Sequence, residues 1–197
     1  MRVQSRGQRS RRAGAIESAG TRFAHPSRRE ACVTPPEMTG EETFHPDTKA
    51  LLAYGRALAG AGAPPRKGGA DHVIERLFVI ERTKDGRLPI RSFGRDLVAV
   101  LGRDLREHDL ASLFLAPDRA LFRAMIDACG AAAEPAVARV FAEAADGCSF
   151  GAEIMITPLK VDASMGDRFL GMFQALGGES FLAERPIRWL KLGSVHP

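Results

Sequence analysis

The sequence predicts an α+β domain. A five-stranded antiparallel sheet carries several short helices and one longer helix between strands two and three, with a further helix at the N-terminal side. Three observations predict it. Asp85-Gly86 and Asp146-Gly147 each separate two β-prone runs, as tight hairpin turns do. Between those turns, Gly94 to Cys129 reads as helical, with apolar residues three and four apart. A β-rich run then returns and ends at Leu176.

The elements follow in order. Pro46 and Asp47 start a first helix to about Ala59, with Leu51, Leu52 and Leu58 near one stripe. Residues 60–69 form a Gly/Pro/basic linker without the GxxxxGK[ST] pattern of a phosphate loop. Strand one spans about Ile74 to Arg82 and strand two about Arg87 to Phe93. In strand two, strict alternation sends Ile90 and Phe93 to opposite faces. Gly94 and Gly102 each precede Arg-Asp-Leu, and each is expected to open a short helical turn. Asp109 begins another. Pro117 and Asp118 start the longest helix, with Leu121, Phe122, Met125, Ile126 and Cys129 on its apolar stripe and Gly130 as its stop. Strands follow at Val137 to Ala144, Phe150 to Val161 and Phe169 to Leu176. Pro158 suggests an edge or a bulge in the second of these. The tail with Trp189, Leu190 and Leu192 reads as a short helix or an extended arm.

Four segments result: a tail over 1–43, a helix and linker over 44–69, the domain over 70–178, and a C-terminal tail over 179–197. The 197 residues suit one domain with extensions, and no apolar run approaches the ~20 residues of a membrane helix. The pI near 9.3 invites a nucleic-acid reading. However, residues 1–37 hold eight Arg against three Glu, a net +5, which leaves 20 Lys and Arg against 21 acidic residues elsewhere, a net −1. The basic character belongs to the tail, so nucleic acid is not expected on the domain. The tail reads as disordered. It is open to three readings: an organelle-targeting composition, an over-called start with Met38 as the true one, or a nucleic-acid-binding arm. Arg11-Arg12 lacks the apolar stretch of an export signal. Cys32, Cys129 and Cys148 show neither CxxC spacing nor a disulfide framework, which fits a reducing cytoplasm.

The ordered set His45-Pro46-Asp47, LLAYGRAL (51–58), IERLFVIE (74–81), IRSFGRDLVAVLGRDL (90–105), ITPLK (156–160) and FLGMFQAL (169–176) resembles PAS domains. The match is to the PAS-like group of the PAS_5 type, known chiefly from alphaproteobacteria. Gly55 departs from it, standing where that group's helix tends to carry Trp. The resemblance implies a PAS-like sheet and a sensory or interaction module without enzymatic activity. Such modules hold a small ligand in a cleft between sheet and helices, or dimerise and dock partner proteins. Flavin photosensors of this fold carry GxNCRFLQ, and the corresponding residues 102–107 here include no Cys. Neither flavin nor haem is expected: His108 sits in the polar run Arg106-Glu107-His108-Asp109, and His72 precedes strand one.

No catalytic set converges. Glu107, His108 and Asp109 are sequence neighbours, and Cys148 stands beside a turn with no nearby His. No metal site is expected. The candidate ligand residues are Phe93, Leu97, Leu101, Phe114, Phe122 and Phe173, with Arg91 as an anionic anchor. The same apolar residues also read as plain core. The candidate interface is Leu51, Leu52, Leu58 and Trp189, forming a homodimer through the first helix and the outer sheet face. The function expected is that of a cytoplasmic regulatory domain acting on a partner protein of a signalling pathway, possible tuning by a small ligand included. The alternative is a small-molecule carrier or enzyme on a similar α+β fold.

Overall fold

The computed structural model describes residues 44–59, 71–161, 164–177 and 186–196. The expectations for the Arg-rich tail, the 60–69 linker and residues 179–185 lie outside these. The elements are α1 (Pro46–Ala59), a 3-10 helix (Asp71–Arg76), β1 (Leu77–Glu81), β2 (Ile90–Phe93), α2 (Arg95–Leu101), a 3-10 helix (Leu110–Leu113), α3 (Ala116–Ala132), β3 (Ala136–Ala144), β4 (Ser149–Val161), β5 (Ser164–Leu176) and β6 (Ile187–His196). The strands form one antiparallel sheet in the order β2-β1-β5-β4-β3-β6.

Several expectations are corrected. The sheet has six strands, because the C-terminal tail is β6, paired along β3. Its register shifts opposite Arg139/Val140 and again opposite Glu143/Ala144, which breaks the period-2 pattern that would have revealed it. Gly102 closes α2 rather than opening a second helical turn. It takes the left-handed conformation (φ 64°), which glycine reaches without steric cost. Ile74 to Arg76 belongs to a 3-10 helix, not to β1. α3 passes Gly130 and is capped by Ala133 at φ 56°. Pro158 lies beyond the last β3 partner, Ala136 opposite Ile156, so it borders β5 alone among the described strands.

The inner face of the sheet carries the main core. Phe78, Ile80, Val140, Ile154, Ile156, Phe169 and Phe173 meet Leu97 and Leu101 of α2 and Phe122, Met125 and Ile126 of α3. The β1–β2 pairing places Ile80 opposite Ile90 but Val79 opposite Ser92, so Arg91 is an extra residue. That bulge resets the phase. Ile90 and Phe93 therefore both pack on the inner core instead of facing apart.

The inserted helical segment also pairs with part of each sheet edge. At β2, Ile90 N–H donates to His108 O (3.0 Å) and Glu107 N–H donates to Ile90 O (2.8 Å). Asp109 accepts from Leu88 N–H and Ala111 N–H, and pairs with Arg123. At β6, Leu115 N–H donates to Leu190 O (3.1 Å) and Leu192 N–H donates to Asp118 Oδ2 (2.9 Å). Backbone groups of Ile90, Leu190 and Leu192 that would otherwise be open to a foreign strand are thus satisfied within the chain.

Candidate functional site

Six of the seven candidate ligand residues come together on the inner side. Leu97, Leu101, Phe114, Phe122 and Phe173 are buried in one cluster, and Phe93 packs against it. Phe114 and Phe122 are stacked, with ring centroids 4.1 Å apart and planes 24° apart. Arg91 stands apart from them. It is exposed and paired with Glu81 (3.1 Å) and Glu107. The Glu107 hydrogen bond, then that of Glu81, raises its pKa above the ordinary arginine value. It is the bulged residue, and the bulge turns its side chain away from the cluster. Cys129 is buried on the same inner side, its Sγ donating to Ile156 O at 3.6 Å, and burial pushes the thiol up to about 12. His108 is exposed beside Arg106 O, and the side chain of His72 lies outside the described residues.

The outer face is best followed in rows that cross the strands, because antiparallel partners share a face. One row holds His196, Val137, Met155 and Met172. The next holds Ser194, Arg139, Glu153 and Gln174. α1 lies over these rows, with Leu52 packed on Phe44, Val137 and Met155. The helix starts at Pro46 and Asp47 as expected, and just before it His45 Nδ1 accepts from Asp47 N–H (3.2 Å), so the imidazole serves as the cap. Gly55 gives the helix its close approach. A Cβ there would sit 2.7 Å from Thr157 Oγ1 and 3.2 Å from Met155 Cε. A tryptophan at this position has no room.

This second layer is polar. The buried polar side chains among the described residues are Thr48, Arg139, Glu153, Thr157 and Gln174. Four stand on the outer face and Thr48 on the helix above it. Arg139 lies 3.7 Å from Glu153 and beneath the Phe44 ring at 4.6 Å. Glu153 Oε2 accepts from His45 N–H (3.1 Å). Arg76 donates to Gln174 and pairs with Asp47 (3.0 Å).

Two further rows lie past Arg139 and Glu153: Lys191, Phe141, Gly151 and Leu176, then Trp189, Glu143 and Ser149. Phe141 is 39% exposed, Leu176 and Trp189 are half-buried, and Lys191 Nζ pairs with Glu143 at 2.8 Å. Of the four candidate interface residues, Leu52 is taken up by the chain's own sheet, Leu51 is half-buried beside it, and Trp189 flanks this open end. The side chain of Leu58 lies outside the described residues. Sequence reasoning missed Phe141. The signal was the alternation of Val137, Arg139, Phe141 and Glu143 with Ala136, Ala138, Ala142 and Ala144.

The family model PAS_5, described as a PAS domain, matches residues 43–174, from just before α1 to near the end of β5. The chain belongs to the PAS-domain family. PAS domains of this kind are generally sensory rather than enzymatic. β6 lies outside the matched span.

Solved structures similar to this PAS domain include the blue-light photoreceptor Aureochrome1 LOV in its light state, at 12% identity and TM-score 0.42, over 56% of this chain and 90% of that one. A Rhodobacter sphaeroides LOV protein gives 18% identity and TM-score 0.44, over 55% and 67%. The Erythrobacter litoralis blue-light activated histidine kinase EL346 gives 16% and 0.42, over 53% of this chain and 33% of that one. No curated protein matches the chain.

Proposed function

We propose that this PAS domain is a cytoplasmic, non-enzymatic regulatory module that acts by protein–protein contact, as a homodimer and on a partner of a signalling pathway. The observation that carries this reading is the open end of the outer sheet face. There Phe141 stands exposed between half-buried Leu176 and Trp189. A phenylalanine held out on a pleated surface is the kind of residue that anchors interfaces. On the inner face the candidate ligand residues fill space against one another, and the buried polar side chains are grouped on the other layer. A small ligand needs a few polar groups aimed into its cleft, so the packing favours contact over ligand capture. No helix among the described residues is long and apolar enough to cross a membrane.

The test is site-specific photo-cross-linking in cells. One cross-linker replaces Phe141, and another replaces Leu121, which is more exposed still but lies on α3. Protein adducts concentrated at position 141 support the proposal. Adducts absent from 141, or as abundant at 121, overturn it.

A further inference from the structure

We infer that the 3-10 helix Asp71–Arg76 ties α1 to α2 around the rim of the sheet, so that how firmly α1 docks on the outer face depends on how α2 is seated on the inner face. This goes beyond the contact reading above and holds whichever surface meets a partner.

The tie consists of two consecutive residues that reach in opposite directions. Glu75 holds α2. Its carboxylate accepts from the backbone N–H of Arg95 (3.2 Å), the first residue of that helix, and from the Arg95 guanidinium (2.9 and 3.3 Å). Its carbonyl lies against Gly94, where a Cβ would stand 2.1 Å away, and Gly94 N–H donates to Leu77 O at 2.9 Å. The φ of Gly94, −69°, is open to any residue, so the close approach is what requires glycine here. The start of α2 and the 3-10 helix thus meet backbone to backbone and shift together. Arg76 holds α1. Its guanidinium donates to Asp47 Oδ2 (3.0 Å), in the first turn of α1, and to Gln174 on the outer face. The Arg76 and Asp47 side chains are only 16% and 19% exposed, so water is a poor replacement for a bond lost between them.

Consecutive Cα atoms stand about 3.8 Å apart, so little slack separates the two holds. A shift of about 1 Å at Glu75, passed on to Arg76, takes its bond to Asp47 out of hydrogen-bond range. Coupling of this kind is reciprocal: the factor by which α2 steadies α1 is the factor by which α1 steadies α2. The route follows the rim of the sheet and leaves the inner core out of it.

The experiment is amide hydrogen exchange of the full chain in four forms: the parent, Gly94→Ala, Arg76→Met and the double variant. Gly94→Ala sets a Cβ against the Glu75 carbonyl, beside α2 and away from the outer face. Exchange from Lys49 to Tyr54 in α1 should nevertheless quicken about 5-fold or more, the lower end of ordinary coupling between sites, while β3 and β4 keep their rates. Arg76→Met should quicken the same amides by itself. In that background Gly94→Ala should add nothing, because the tie is already cut. If Gly94→Ala fails to fold, reciprocity supplies the test: Arg76→Met, a change on the α1 side, should quicken exchange across α2 by a similar factor. The inference is overturned if α1 ignores Gly94→Ala, or if Gly94→Ala acts equally with and without Arg76. A uniform rise across the sheet overturns it too, as does an α2 indifferent to Arg76→Met.

Discussion

The two faces of the sheet are built from different material. The inner face meets α2 and α3 through side chains that are nearly all apolar, with Phe114 and Phe122 stacked at its centre. The outer face meets α1 through a small cluster of Phe44, Leu52, Val137 and Met155, set among Arg139, Glu153, Thr48 and Thr157. Apolar burial is non-directional and tolerant, whereas a buried polar group stabilises only where its partners are in place. The inner layer therefore sets the stability of the fold. The outer layer sets where α1 sits, and with it how much of the sheet is left for other proteins.

The largest effect that separates the layers is expected from Phe122→Ala. Removing a fully buried ring from the inner core costs about 3–5 kcal/mol, read as a fall in the urea midpoint. If the loss is no greater than that from a surface substitution such as Leu121→Ala, the inner layer is not the cornerstone described here.

Next comes Glu153→Gln. It removes the charge of the carboxylate 3.7 Å from the Arg139 guanidinium, which is 5% exposed, for about 3 kcal/mol. Replacing both residues with Met should recover most of that loss, since well-packed apolar pairs commonly match buried ion pairs. Equilibrium unfolding of the single and double variants checks both statements. A double variant as weak as the single one would mean that the charges do more than fill space.

Legibility in the sequence followed the same division. The inner layer could be read because its residues obey simple periods: Phe122, Met125, Ile126 and Cys129 kept a helical stripe, from which only exposed Leu121 drops out, and two Asp-Gly pairs marked the hairpins. What escaped was irregular. The bulge at Arg91 reversed the facing of Phe93, and the shifts in β6 hid a whole strand. The outer layer was harder still. Its key residues, Arg139, Glu153 and His45, are far apart in sequence and polar, so no local pattern announces that they are buried together. Gly55 looked like a departure from the family. Against Thr157 and Met155 it is the residue that lets α1 dock.

That docking gives the third prediction. Gly55→Ala adds a Cβ 2.7 Å from Thr157 Oγ1, and overpacking of this size costs about 1–2 kcal/mol. The cost should be local. Amide hydrogen exchange is expected to quicken in α1 and stay unchanged in β1 and β5, because the inner core does not feel the helix. Uniform acceleration across the sheet would show that the two layers unfold as one unit.

The smallest effect is a matter of pH and concerns the inner layer alone. Burial lifts the Cys129 thiol from its ordinary 9.0 to about 12. Below pH 9 the thiol is protonated in both folded and unfolded chains, so it adds no pH dependence. Above pH 9 the unfolded chain releases the proton while the folded chain still holds it, so stability falls as pH rises toward 12. The fall is about 1.4 kcal/mol for each pH unit while the two states differ by one proton. Cys129→Ala removes the group and hence this slope, whatever its own cost in packing. The stability difference between the parent chain and Cys129→Ala should therefore shrink by about 1.4 kcal/mol between pH 8 and pH 10 in matched urea titrations. The same experiment in the Gly55→Ala background should give the same shrinkage, because loosening α1 does not wet the inner face. If it vanishes there, the two layers share a solvent path, and the separation between them fails at Cys129.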